Sequence, residues 1–361
     1  MIPSVLAKQI QRGAGEYVDA TFPMSNAPFS GSLKSYVETE GAMCREPYFA
    51  VRLPFRRAEG MPGCFQAVEC EHIPYVHQMR AFERLCGSAP RSTLIATGTG
   101  SGKTECFLYP ILEHCFRQRQ RKEEGIKAIV IYPMNALASD QARRIAKLIH
   151  GNGKLRGHVT VGMYVGSGGK EKKEETRAMG ESHVITDHAT LLESPPDILL
   201  TNYKMLDYLL VRPRDSRLWE RNGPETLKFV AVDELHTFDG AQGTDLACLL
   251  RRLKSRLKTP EGHLCCIGTS ATMGDGESAQ DILSYASQIF GEPFDASAVI
   301  TEDRLSAEEF LSNAEPEYSC VPDEGQTEGL DRLAEEDDAE GYLREAVRAW
   351  FPGFEGDPPV R

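Results

Sequence analysis

Between about residue 71 and residue 295 the chain alternates between short runs that are apolar throughout and longer stretches that are apolar on one side only. The short runs are Thr93–Ala96, Ala128–Tyr132, Thr160–Tyr164, Asp197–Thr201, Phe229–Val232 and Cys265–Gly268. Their apolar residues are consecutive rather than alternating, which is the pattern of strands covered on both faces. Between them, Glu105–Phe116, Ser139–His150, Tyr203–Leu210, Gly243–Leu257 and Ser278–Phe290 repeat apolar positions at helical spacing. This alternation predicts an α/β fold, a mostly parallel sheet with helices on both faces. In such sheets a ligand sits beyond the carboxyl ends of the strands.

The flanks read differently. Residues 1–70 form a lead-in with weak helical periodicity over Val5–Tyr17, a second helical pattern at Ser32–Thr39 and a strand-like alternation at Tyr48–Leu53. From 296 to 361 the chain is acidic and proline-bearing, with one amphipathic pattern at Tyr342–Phe351; it reads as a linker or the start of an insertion. Residues 71–295 are the expected central domain.

Charge sharpens that division. The net charge of −12 lies in the tail: residues 301–361 hold 18 acidic and 5 basic side chains, and the preceding 300 hold 35 and 36. A neutral body neither demands nor forbids nucleic acid, because a local basic face decides that. No run is long and apolar enough to span a bilayer, so no membrane partner is expected. The opening Met1-Ile2-Pro3-Ser4 lacks the build of a secretion signal, and a cytoplasmic location is the expectation. The ten cysteines include no C-x-x-C pair and read as reduced thiols. Cys64, Cys70, His72 and His77 have the ligand types for zinc, but their spacing matches no common zinc module.

The strongest chemical signal follows the first central strand: Thr97-Gly98-Thr99-Gly100-Ser101-Gly102-Lys103-Thr104. Its glycines let the backbone curl so that N–H groups point at a polyphosphate, and the helix that follows adds its positive end. Lys103 is the candidate for the β- and γ-phosphates of ATP, and the Thr104 hydroxyl for Mg²⁺. The third glycine of a dinucleotide fingerprint would fall on Lys103, which argues against that alternative. Phe229–Val232 then ends in Asp233-Glu234-Leu235-His236. Asp233 is the candidate to hold Mg²⁺ opposite Thr104, and Glu234 to deprotonate the attacking water. His236 completes the candidate catalytic set with Lys103. A third motif, Gly268-Thr269-Ser270-Ala271-Thr272, sets small hydroxyls at the end of Cys265–Gly268.

Taken in order, G-x-G-K-T, D-E-x-H and S-A-T resemble the first RecA-like motor lobe of superfamily-two helicases of the DEAD/DEAH-box kind. The resemblance covers roughly residues 71–295. It implies an ATP-driven helicase or translocase, with Ser270, Ala271 and Thr272 coupling hydrolysis to movement. Gln78, in Pro74-Tyr75-Val76-His77-Gln78, looks like the adenine-reading glutamine of the family. Pro133 and Asn135 (in Y-P-M-N-A-L-A), Gly168 and Gly169, and Thr201 and Asn202 (in L-T-N-Y-K-M-L) look like its strand-contacting positions. The fuller wording is similar to YprA-type and Lhr-like DNA helicases, including helicases of bacterial anti-phage systems. RNA-acting members carry P-T-R-E-L-A where this chain has Pro133–Ala138, so DNA is the expected partner rather than RNA.

The family closes two lobes around one ATP, and the second supplies arginine fingers. Nothing after residue 273 resembles that motif. The expectation is therefore a lobe that binds ATP, hydrolyses it weakly alone and needs a second RecA-like lobe in cis or in trans. The alternative is a non-motor nucleotide-binding module that regulates or assembles with a protein partner. A small-molecule kinase would explain Lys103 and Thr104 but not the D-E-L-H strand end.

Overall fold

The computed structural model of the chain describes residues 3–23, 26–39, 52–87, 89–98, 100–166, 175–270, 279–311, 322–335 and 339–350. It divides into two units. One comprises Met1–Leu53 with Ser306–Arg361, the other Pro54–Leu305. The first holds helices α1 (Pro3–Thr21), α2 (Ser32–Glu38), α10 (Ala307–Leu311), α11 (Glu324–Glu335) and α12 (Ala339–Trp350). Within it the Gln11 amide donates to Val37 O at 3.2 Å. The strand-like reading at Tyr48–Leu53 falls largely outside the described residues.

Pro54–Leu305 carries the sheet. Its strands are β1 (Thr93–Ala96), β2 (Ala128–Ile131), β3 (Val161–Tyr164), β4 (Ile198–Thr201), β5 (Phe229–Val232), β6 (Cys265–Ser270) and β7 (Val299–Thr301). All pair in parallel, in the order β3-β4-β2-β5-β6-β1-β7. The helices are α3 (Val76–Leu85), α4 (Lys103–Gln120), α5 (Asn135–Gly151), α6 (His188–Glu193), α7 (Tyr203–Val211), α8 (Gly240–Leu257) and α9 (Ala279–Phe290). No helix among the described residues is long and apolar enough to cross a membrane.

The consecutive apolar runs have a simple cause. Ala128 and Val130 of β2 face one core with Phe107, Ile111 and Ile145, whereas Ile129 and Ile131 face another with Leu209, Leu246 and Leu253. Successive residues of a strand point to opposite faces, so a strand with a helix layer on each side must be apolar at every position. One core is closed by α3, α4 and α5, the other by α7, α8 and α9. The expected doubly covered parallel sheet is the fold observed.

Two details differ from the sequence reading. β7 lies in the stretch read as an acidic linker, pairing with β1 through Leu94↔Val299 and Ala96↔Thr301. It is only three residues long and followed by Glu302-Asp303-Arg304, so its apolar signal is short and its context polar. Helix α5 begins at Asn135, four positions before the periodic pattern, because Met134 is extended and the first turn carries the Asn135–Ala138 motif.

Candidate nucleotide and nucleic-acid site

The sheet order sets β6 between β1 and β5, so the segments that follow these three strands meet. After β1 the chain turns through Gly100 (φ 76°) and Gly102 (φ 77°), both left-handed, and enters α4 at Lys103. A Cβ on Gly102 would approach Gln78 Nε2 to 2.3 Å, so both its conformation and its surroundings favour glycine. Thr97 Oγ1 and Ser101 Oγ are hydrogen-bonded at 2.7 Å, closing the loop on itself. Thr104 is half-buried in the first turn of α4. The eighteen-residue helix directs its free N–H groups and positive end at this loop.

Helix α3 braces the loop from outside. His77 Nε2 lies 2.8 Å from Ser101 O. Gln78 accepts from Tyr75 N at 2.9 Å and donates to Gly102 O at 3.3 Å. The residue expected from the resemblance to contact adenine is seen here tying α3 to the loop. His77 is buried in this role.

After β5 the backbone of Glu234 is left-handed at φ 51°, ψ 51°, a conformation unusual for a residue with a side chain. Glu234 Oε1 lies 3.5 Å from Lys103 Nζ, and Oε2 lies 3.5 Å from His236 Nδ1. His236 Nδ1 is in turn 3.2 Å from Ser270 Oγ. The geometry therefore joins Lys103, Glu234, His236 and Ser270, drawn from three strand ends. Thr269, not singled out in the sequence, sits at the centre. Its Oγ1 accepts from Glu234 N at 3.0 Å and donates to Asp233 Oδ1. Its only signal in the sequence was membership of the small-hydroxyl run.

Asp233 is buried. Burial pushes its carboxyl above the usual carboxylate range and the Glu234 charge adds to this, against the Thr269 hydroxyl and the Lys103 ammonium. A buried carboxylate costly to ionise in the free protein, with a lysine ammonium among the charges acting on it, suits a hard divalent cation. Thr104, by its hydroxyl, and Asp233, through water, are the residues that would hold Mg²⁺, a cation that prefers oxygen ligands. A raised folded-state pKa means that ionising Asp233 destabilises the fold, a penalty that grows as pH rises through the carboxylate range and vanishes as it falls. Asp233→Asn keeps the acceptor for Thr269. Its melting temperature is expected to exceed the parent's at neutral pH, with the gap closing as pH is lowered. A melting series across pH, showing no gap or one that widens on acidification, would contradict this.

The other candidate residues gather beyond β2, β4 and β3. Asn202 Nδ2 donates to Asn135 Oδ1 at 2.7 Å, and Asn135 Nδ2 to Gly166 O at 3.4 Å. Asn202 also caps α7 by accepting from Met205 N at 2.8 Å. Thr201 is buried and its hydroxyl donates to Tyr164 O at 2.7 Å. Pro133 is half-buried and followed by exposed Met134. Thr99, Gly168, Gly169, Ala271 and Thr272 lie outside the described residues.

Comparison with known proteins finds helicases. The Druantia protein DruE of Escherichia coli (strain UMEA 4076-1) is 29% identical over 304 residues, 58% of this chain and 16% of that one. The uncharacterized ATP-dependent helicase YprA of Bacillus subtilis (strain 168) is 28% identical over 201 residues, 56% of this chain and 23% of that one. This chain thus spans less than a quarter of either relative. Among solved structures, the DUF1998 helicase MrfA bound to DNA shares the fold, with a TM-score of 0.53 and 23% identity over 70% of this chain and 30% of that one. The DEAD/DEAH box helicase family model matches residues 75–282, more than half of the sequence, and the chain belongs to that family.

Proposed function

We propose that this chain is the ATP-binding motor lobe of a DNA helicase or translocase, and that it works with a second RecA-like lobe in cis or in trans. The observation that carries the reading is the approach of Lys103 Nζ to Glu234 Oε1 at 3.5 Å across 131 positions of sequence. The proposed phosphate-binding cation and the proposed general base are thus within reach of each other, which supports a role in γ-phosphate hydrolysis. In this reading the amides from Gly100 to Thr104 and Lys103 bind the phosphates, and Glu234 takes the proton of the attacking water. Thr104 and Asp233 would hold Mg²⁺, which when bound would supply positive charge against the phosphates. Asn135, Asn202 and Pro133, on the other half of the same sheet edge, contact the nucleic acid.

The wording of Pro133–Ala138 supports DNA over RNA, and the similarity to MrfA, solved with DNA, points the same way. The resemblance to helicases of anti-phage systems makes defence the pathway to test first. Phosphate release by the full native polypeptide, with and without single- or double-stranded DNA, tests the reading. DNA is expected to accelerate release. A rate indifferent to DNA, together with a stable protein partner in pull-down, would favour the non-motor module instead.

A further inference from the structure

The phosphate loop is gripped by residues beyond the span the family model matches. Gly98 N donates to Glu302 Oε2 at 2.9 Å, and Glu302 immediately follows β7. A carboxylate so close to a phosphate site has the wrong sign for the ligand, so its own charge must be answered. Arg304 Nε meets Glu302 Oε1 at 2.7 Å, and the Arg304 guanidinium lies over the Phe55 ring at 3.9 Å. The next residue acts on α3. Asp303 accepts from Arg56 Nε at 2.8 Å and from Arg80 Nη2 at 3.1 Å, and Arg80 lies on α3 two positions after Gln78. Phe55 also meets the His77 ring at 5.4 Å, edge to face.

The triplet Glu302-Asp303-Arg304 thus holds the loop at both ends. Glu302 fixes its entry at Gly98. Asp303 braces the helix whose His77 and Gln78 hold its exit at Ser101 and Gly102.

We infer that Glu302 is a positioning residue for nucleotide binding, presetting the phosphate loop through the Gly98 amide while Arg304 balances its charge. The inference rests on the nucleotide-binding reading above. Amides already aimed before the ligand arrives bind charge without reorganisation, so the effect falls on affinity. Glu302 makes no contact with phosphate in this role.

The test uses the whole 361-residue chain, a fluorescent (mant) AMP-PNP with Mg²⁺, and hydrogen exchange at Gly98 without nucleotide. Glu302→Ala is expected to weaken binding about tenfold and speed Gly98 exchange, as loss of a charge-assisted hydrogen bond implies. Glu302→Gln retains an acceptor oxygen and is expected to bind within about threefold of the parent. Melting temperatures of both variants should match the parent. Parent-like affinity for Glu302→Ala, or equal losses in both variants with lowered melting temperatures, would overturn the positioning role. Faster Gly98 exchange in Glu302→Ala when the parent binds no nucleotide would leave the clamp real. It would refute the nucleotide reading, and the positioning role with it.

Discussion

Replacing Glu234 by Gln is expected to leave ATP bound and to slow its hydrolysis by about 10²–10⁴, the usual contribution of a positioned general base. Glutamine has the shape of glutamate but cannot accept the water's proton. The position is defined from several sides. The Glu234 amide donates to Thr269 Oγ1 at 3.0 Å, and its backbone sits at φ 51°. A strained backbone between β5 and the 3-10 turn Leu235–Thr237 is a conformation the surroundings must enforce, and the carboxylate there lies against Lys103. Single-turnover phosphate release and equilibrium AMP-PNP binding on the same variant separate chemistry from affinity. Parent-like release would remove Glu234 from the general-base role. Loss of binding with release would make it a ligand-holding residue instead.

What the sequence made legible was whatever leaves a periodic or compositional trace. The central strands announced themselves because each is buried on both faces, as Ala128–Ile131 illustrates by dividing alternately between two cores. The phosphate loop and the acid pair could be read because their chemistry demands particular residues at a strand end. Other features depend on tertiary neighbours that no local pattern reports. Thr269 looks like any hydroxyl in a turn until β6 is seen lying between β1 and β5. Glu302 is the sharper case. A carboxylate in an acidic stretch reads as solvated surface, and its sign argues against a place beside phosphates. Only the parallel pairing of β7 with β1 carries it to Gly98. Gln78 stood out in the sequence for the base it resembles a contact for, while its bonds to Tyr75 N and Gly102 O emerged only from the packing of α3 on the loop.

Lys103→Ala is expected to remove nucleotide binding almost entirely, weakening it on the order of 100-fold or more, since an ammonium to phosphate oxygens makes strong charge-assisted contacts. Its side chain is only 13% exposed, so the ammonium is already partly out of water, with Glu234 as its counter-charge. Alanine is a good helix former at the start of α4, so the substitution should spare the fold. The loss of the cation also leaves the Glu234 carboxylate without its lysine partner, which adds to the effect. Calorimetric titration of AMP-PNP with Mg²⁺ into the parent chain and into Lys103→Ala measures this directly. A single site in the parent that disappears in the variant, with both proteins melting alike, is the predicted result. Equal affinity in the two proteins would contradict the account, because the triphosphate would then be bound somewhere other than the pocket joining Lys103 to Glu234.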